Sequence, residues 1–178
     1  RTNGRPEEKS VIDTVEINKD YRPGAIGRVI ELHGEYYHAH WSFGAFFEAK
    51  VASELAEFFR GYDAERDGFW TAAIGGRVEG SIAIDGVHAA DEGAHLRWFI
   101  MSDELRGRGV GARLLHAALD FCRSHRYPRV YLWTFEGLHA ARHLYERAGF
   151  ALFEQHRGTQ WGTDVAEQRF ELSLAHRT

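Results

Sequence analysis

The stretch that decides the fold is residues 106–112, which read Arg-Gly-Arg-Gly-Val-Gly-Ala. It follows an apolar run that ends near Met101 and precedes a helical period that begins near Gly109. Glycines let the backbone turn tightly and let a ligand approach its amides. The first amides of a helix have no intrahelical partner, and the helix dipole favours negative charge there. The stretch therefore predicts a diphosphate site, at which Arg106 and Arg108 add charge-assisted contacts.

The glycine turn alone leaves other interpretations open. A dinucleotide-binding turn has the spacing G-x-G-x-x-G near the start of a parallel α/β domain, whereas these three glycines stand at alternate positions late in the chain. A phosphate loop ends in Gly-Lys-Ser/Thr, and residues 106–112 contain no such ending. A plain turn with a helix cap is the remaining alternative.

The flanking sequence predicts alternating blocks of helix and strand. Four segments have a helical period: Ala25–Tyr37, Phe46–Phe59, Gly109–Ser124 and Leu138–Arg147. Seven segments have strand character: Val11–Ile17, Phe69–Ile74, Val78–Ile84, Leu96–Met101, Arg129–Trp133, Phe150–Phe153 and Gln168–Leu174. The second and third strands flank Gly75-Gly76 and form a predicted hairpin. This order predicts an α/β (α+β) fold on one mixed sheet.

Length and composition limit the class of protein. The 178 residues fit one domain over residues 11–178, preceded by a polar, flexible tail over residues 1–10. The net charge of −4 without a long basic stretch argues against direct nucleic-acid binding. No apolar run approaches the roughly 20 residues that span a bilayer, so no membrane is expected. The single Cys122 excludes an intrachain disulfide and is expected in the core, and the protein is predicted to be cytoplasmic.

A second stretch, residues 138–150, reads Leu-His-Ala-Ala-Arg-His-Leu-Tyr-Glu-Arg-Ala-Gly-Phe. Together with the glycine turn about 30 residues earlier, it resembles the GNAT superfamily of acyl-CoA-dependent N-acetyltransferases. Further segments look like the GNAT domains fused to MarR-type regulators in bacteria: residues 33–37, 132–134, 140–142 and 164–174. The resemblance implies a mostly antiparallel mixed sheet, flanked by helices, whose fourth and fifth strands splay apart.

The resemblance also implies a site for acetyl-CoA between those two strands. Backbone groups of Phe99, Ile100 and Met101 are expected to pair with the pantetheine like an added strand. The helix that begins at Leu138 is expected to flank the thiol. The diphosphate is expected at the glycine turn, on these residues: Arg106, Gly107, Arg108, Gly109, Val110, Gly111 and Ala112.

For the reaction, the resemblance implies direct attack of a primary amine on the thioester in a ternary complex. Tyr145 matches the tyrosine that protonates the departing thiolate, which is general-acid catalysis. Glu31 and His33 are candidate bases on the first helix. The acceptor is expected to be a small-molecule or peptide amine, and a homodimer is possible among such relatives.

The acceptor side is expected to involve Tyr36, Tyr37, Arg97 and Trp98. The aromatic residues near the end of the first helix either wall the acceptor pocket or pack two helices together. Trp161 either closes the other side or is exposed. Arg97 either reaches the acceptor or pairs with a carboxylate.

Two departures from the family pattern favour a second hypothesis. Phe135 stands where family members often carry an asparagine after the fifth strand, and the fourth strand offers no carboxylate base. These departures fit a non-catalytic acyl-CoA-binding sensor domain as the alternative. The paired histidines, His38 with His40 and His139 with His143, have no evident third ligand, so no metal is expected.

Overall fold

The computed structural model describes residues 14–174. The predicted tail over residues 1–10 and the first part of the predicted strand Val11–Ile17 lie outside these residues. The strands are β1 (Val15–Lys19), β2 (Gly68–Ile74), β3 (Arg77–Asp85), β4 (Ala94–Met101), β5 (Arg129–Phe135), β6 (Ala151–Gly158) and β7 (Val165–Ser173). The helices are α1 (Ala25–Trp41), α2 (Ala45–Arg60), α3 (Val110–Ser124) and α4 (His139–Arg147).

The strands form one seven-stranded sheet in the order β1-β2-β3-β4-β5-β7-β6. Every neighbouring pair is antiparallel except β4 and β5, which are parallel. The predicted mixed, mostly antiparallel sheet is therefore confirmed. The predicted β2–β3 hairpin is also confirmed, since Gly75 and Gly76 both have positive φ (56° and 80°), as a tight hairpin turn requires.

Helices cover both faces of the sheet. Strand alternation sends Ala83 to the face that packs against Val29 of α1 and Leu55 of α2. Its neighbours Ile82 and Ile84 lie on the opposite face, which packs mainly against α3 and includes Tyr145 of α4. Cys122 belongs to this second core and is fully buried, as expected from its place on the apolar face of α3.

Several elements extend beyond their predicted bounds. The helix predicted to end at Tyr37 continues to Trp41, where Ser42 adopts a left-handed conformation (φ 56°) and ends it. The strand predicted to end at Phe153 continues to Gly158. Almost every residue of β6 is exposed, so this strand lacks the alternating burial by which a strand is recognised in sequence. Within residues 14–174, none of the helices combines the length and apolar character that crossing a bilayer demands.

Candidate active site

The site lies where β4 and β5 separate. The two strands pair at Ala94–Val130 and His95–Tyr131 and nowhere beyond, which confirms the predicted splay. From residue 96 onward, the edge of β4 that faces β5 therefore has no strand partner. A cavity of about 750 Å³ fills the gap and is lined by β4, β5, α1, α2 and α4.

A bulge in β4 shapes one wall of the cavity. Ser81 pairs with Ile100 and Ala83 with Arg97, so Trp98 and Phe99 together oppose the single residue Ile82. Trp98 has φ 46°, a strained conformation for a bulky residue and one that often occurs at functional sites. Its carbonyl accepts a 2.7 Å hydrogen bond from the Ser81 hydroxyl. The expected pantetheine-binding residues Phe99, Ile100 and Met101 all line the cavity next to this bulge.

The glycine turn lies at one end of the cavity. Arg106 and Gly107 line it directly. Gly107 and Gly109 have φ 70° and 69° with open space around the position of a side chain, so their conformation rather than crowding calls for glycine. α3 begins at Val110, and no side chain caps its first amides. Residues 109–112 form the start of this helix, and they are not among the residues that line the cavity.

Gly111 brings three elements of the site together. A β-carbon at this position would lie 2.6 Å from the Met101 methyl group and 3.0 Å from Leu144. Glycine thus lets the first turn of α3 contact both β4 and α4. This close approach fixes the helix start relative to the strand that is expected to carry the pantetheine.

Three polar residues near the turn, Arg106, Arg108 and Ser102, refine the expectation from the sequence. Arg106 forms a 2.9 Å ion pair with Asp103, and both side chains are largely exposed. Arg108 is also exposed. Ser102 was missed by sequence reasoning: its hydroxyl oxygen is buried without a hydrogen-bond partner, and the residue lines the cavity. A buried hydroxyl without a partner is energetically costly, which marks Ser102 as a group that a ligand would satisfy.

Tyr145 projects from α4 into the cavity and is 6% exposed. Its ring lies 5.9 Å from the ring of Phe99, centroid to centroid. Burial raises the pKa of Tyr145 far above its ordinary value, and the nearby Tyr37 adds to the effect. The hydroxyl therefore keeps its proton throughout the physiological pH range. Leu138, at the start of the same helix, also lines the cavity.

The two candidate bases on α1 differ in position. Glu31 is exposed, forms a 2.7 Å ion pair with Arg28 and does not line the cavity. The structure therefore does not bring Glu31 to the site, because its position on α1 faces solvent. His33 is buried and lines the cavity.

The His33 imidazole is held in one tautomer. Its Nδ1 lies 2.8 Å from the Val29 carbonyl oxygen, and because a carbonyl only accepts, Nδ1 must carry the proton. Nε2 then keeps its lone pair. Burial lowers the pKa of His33 to about 4, so the ring is neutral at pH 7 and can accept a proton at Nε2.

The side of the cavity at which the acceptor is expected has aromatic walls. Tyr36, Tyr37, Phe47, Phe135 and Trp161 all line it. Tyr37 also packs against Phe43 and Phe47, at centroid distances of 5.7 and 4.8 Å, so the helix-packing and pocket-wall interpretations both hold for this residue. Trp161 is partly buried against Phe135, 5.5 Å between centroids, and so closes the wall instead of lying exposed.

A charged network borders this aromatic region. Arg97 lines the cavity and forms a 2.7 Å ion pair with Glu54 of α2, while its guanidinium lies 4.2 Å from the ring centre of Trp98. Of the two alternatives for Arg97, the pairing with a carboxylate is observed, and contact with an acceptor stays a prediction. Lys50 and Glu54 also line the cavity and pair with each other. Sequence reasoning missed both, together with Gln160.

Within residues 14–174, no group of three or more His, Cys, Asp or Glu side chains is arranged to hold a metal ion. His38, one member of the first histidine pair, instead contacts the Phe43 carbonyl at 2.9 Å.

Known proteins share this fold and sequence pattern. Two curated relatives are a probable N-acetyltransferase, camello, of Xenopus tropicalis (33% identical over 46% of this chain) and N-acetyltransferase family 8 member 2 of Rattus norvegicus (30% over 72%). The chain spans only 37% and 56% of their respective lengths.

Solved structures match nearly the whole chain. A GNAT-family acetyltransferase of Staphylococcus aureus superposes with a TM-score of 0.73 at 17% identity, covering 91% of this chain and all of the other. A Salmonella typhimurium protein described as an acetyltransferase, solved with its cofactor acetyl-CoA, gives 0.68 at 15% identity, covering 91% and 96%. These two likenesses establish the fold. A sequence model described as "Acetyltransferase (GNAT) family" matches residues 26–150, and the chain therefore belongs to the GNAT acetyltransferase family.

Proposed function

We propose that this protein transfers an acetyl group from acetyl-CoA to a primary amine by direct attack in a ternary complex. The observation that carries the proposal is one cavity that joins the glycine turn, the unpaired edge of β4 and the buried Tyr145 hydroxyl. Family membership supports the acyl transfer, and the Salmonella typhimurium neighbour solved with acetyl-CoA supports the cofactor.

The residues present fit acetyl-CoA. The uncapped amides of residues 109–112 and the guanidinium groups of Arg106 and Arg108 would hold the diphosphate. The free edge of β4 at residues 99–101 would pair with the pantetheine amides. Ser102 would gain a partner for its buried hydroxyl. Phe135 offers no amide to the pantetheine and instead packs among the aromatic side chains of the acceptor side.

The chemistry requires two proton movements. The amine nitrogen bonds to the acetyl carbon and loses a proton, and the carbon–sulfur bond breaks as the sulfur gains one. Tyr145 enters the reaction protonated and donates to the sulfur. His33 accepts the proton at Nε2, which becomes favourable only after the nitrogen has bonded to the carbon, because a pKa of about 4 makes the imidazole a weak base. Positioning of both reactants contributes the remainder of the rate enhancement.

The test of the cofactor site is Gly109→Glu. Added bulk and negative charge beside the diphosphate should abolish acetyl-CoA binding measured by calorimetry. Gly75→Glu is the matched control, because Gly75 also has a positive φ (56°) and open surroundings but lies in the β2–β3 turn. Equal acetyl-CoA affinity in the two variants, once both are shown to be folded, would contradict a diphosphate site at the glycine turn.

The test of catalysis is release of free CoA thiol with a panel of primary amines. A rise in melting temperature with acetyl-CoA but no thiol release from any amine would favour the sensor alternative, which the Phe135 position and the predicted likeness to regulator-fused domains support. In an active enzyme, His33→Gln should lower kcat and leave acetyl-CoA affinity unchanged. An unchanged kcat would exclude His33 as the proton acceptor.

A further inference from the structure

The charged side chains on the acceptor side form a distinct group. Among the described residues that line the cavity, those with charged side chains are Lys50, Glu54, Arg97 and Arg106. Arg106 lies at the glycine turn. The other three lie on α2 and β4, next to the aromatic walls, where the acceptor amine would enter. They are therefore the groups that would select the charge of the acceptor.

Both oxygens of the single carboxylate of this group already pair with a cation. One oxygen of Glu54, Oε1, contacts the Lys50 ammonium, and the other, Oε2, lies 2.7 Å from Nη2 of Arg97. An ammonium group on the acceptor would have to share this carboxylate with the two cations and would be repelled by both of them. Glu54 is thus poorly placed to bind a second positive charge or to act as a base.

The two cations retain hydrogen-bonding capacity. An ammonium has three donors and a guanidinium five. Lys50 uses one contact to Glu54, and Arg97 directs Nη2 at Glu54 and Nη1 at Asp85, 3.5 Å away. Donors on both side chains remain for a further anion, and Trp98 stacking holds the guanidinium in place.

The balance of charge at the cavity wall is positive. Asp85, the second carboxylate near Arg97, is not among the residues that line this cavity; it lines a neighbouring cavity of about 520 Å³, which Glu54 and Arg97 also line. Towards the acceptor side, two cations therefore face the space with one carboxylate between them. His95, which also lines the cavity, has its pKa lowered to about 3 by burial, with Arg97 and Arg169 adding to the effect, and is neutral at pH 7.

We propose that the acceptor is an amine that also carries a carboxylate, held by Lys50 and Arg97, with an apolar or planar group against the aromatic walls. The inference deepens the proposed function and rests on it. The carboxylate would accept charge-assisted hydrogen bonds, among the strongest that a partly exposed site forms. Tyr36, Phe47 and Trp161 would contact the planar group.

The test compares L-phenylalanine with L-phenylalaninamide, which differ in the carboxylate. The measured quantity is the ratio of kcat/KM for the acid to that for the amide, from CoA thiol release. Because the two amines differ in basicity, the informative number is how this ratio changes between the wild-type protein and its variants. Lys50→Gln should lower the ratio about tenfold, as expected for one lost charge-assisted hydrogen bond.

Two further substitutions sharpen the comparison. Lys50→Arg should keep most of the ratio, and Lys50→Glu should lower it more than Lys50→Gln and favour the amide. Lys19→Gln is the matched control, since it removes the same charge on β1, where Lys19 lies over the ring of Phe121 on the α3 side of the sheet. An unchanged ratio in Lys50→Gln, with normal melting temperature and acetyl-CoA affinity, would overturn the proposal.

A binding measurement distinguishes a protein that does not transfer acetyl groups from a protein that has no carboxylate site. Calorimetric titration of the CoA-saturated protein with each compound measures acceptor binding without turnover. Tighter binding of phenylalanine that Lys50→Gln removes, without thiol release, would keep the carboxylate site and reject the transferase. Thiol release from both compounds with no effect of Lys50, or no binding of phenylalanine at all, would reject the carboxylate site.

Discussion

At the scale of single residues, the site keeps its two proton-transfer groups in defined states by burial. Tyr145 and His33 are both buried at the cavity wall, where the pKa of the hydroxyl is raised and that of the imidazole is lowered. Burial disfavours the charged form of each group, tyrosinate in one case and imidazolium in the other. At neutral pH the tyrosine thus holds a proton to donate, and the imidazole holds a lone pair to accept one.

Tyr145→Phe tests the donor. Removing the hydroxyl should lower kcat by about 10²- to 10⁴-fold, the range for general acid catalysis, and leave acetyl-CoA affinity nearly unchanged because the ring remains. The measurement is thiol release at saturating substrate together with calorimetry of acetyl-CoA binding. Tyr21→Phe, at an exposed position, is the control. If the variant kept a kcat within roughly twofold of the wild-type value, Tyr145 would not be the proton donor.

At the scale of elements, close approaches at glycines set how helices meet the sheet. Gly137, between β5 and α4, has φ 114°, and a β-carbon there would lie 2.2 Å from the Trp41 ring at the end of α1. The ring of Trp41 in turn packs edge-on against Phe135, 4.8 Å between centroids. One residue without a side chain thus lets α1, β5 and the start of α4 converge at the cavity.

Gly137→Ala should therefore destabilise the protein. Both the left-handed conformation and the overlap with a rigid ring oppose a methyl group, and the expected loss is about 2–4 kcal/mol of unfolding free energy. Gly27→Ala is the matched substitution, because Gly27 lies within α1 with nothing near its β-carbon position. It should stabilise the protein by about 0.5–1 kcal/mol. Urea denaturation measures the free energy of unfolding of both variants. Equal changes in the two variants would contradict a close approach of Gly137 to the Trp41 ring.

The sequence predicts the helices and strands, but it does not predict all of the residues that line the cavity. Within residues 14–174, glycine spacing and apolar periodicity predicted the four α-helices and the seven strands, although not the full length of β6, since these patterns are local; the short 3-10 helix Asp103–Leu105 was missed. Lys50 and Glu54 were missed because they lie on the polar side of α2 beside its apolar stripe, where charged residues usually face solvent. Glu54 is brought to the cavity by its contact with Arg97 on β4, which is 43 residues later in the chain. A contact over this distance cannot be read from the local pattern of α2. Ser102 was missed because a serine after a strand is common, and its buried state depends on tertiary packing.

At the scale of the whole molecule, two histidines of the cavity wall link folding to pH, of which His33 is buried and His95 is partly buried. His33 and His95 have pKa values lowered to about 4 and about 3, against about 6.5 in an unfolded chain. Between these values and pH 6.5, the unfolded state binds more protons than the folded state, so stability falls as the pH decreases. The stabilising contribution is complete above pH 6.5 and is lost through this window.

His33→Gln isolates one part of this dependence. Glutamine keeps a donor for the Val29 carbonyl but does not titrate. Its unfolding free energy should fall less than that of the wild-type protein between pH 7 and pH 4, by up to about 3 kcal/mol. Urea denaturation at several pH values measures the difference. His139→Gln, at an exposed position at the start of α4, is the control and should follow the wild-type curve. A curve for His33→Gln that is parallel to the wild-type curve would show that His33 does not contribute.

The bulge at Trp98 also changes the parity of β4. Before it, Leu96 joins the α3 core; after it, Phe99 and Met101 pack on that same side, while Arg97 and Trp98 both face α2. A strand of even alternation would direct 96, 98 and 100 one way and 97, 99 and 101 the other. Regular pairing of the same residues without the bulge would send Phe99 and Met101 to the opposite face, so the extra residue keeps the side chains before and after it directed at the same core.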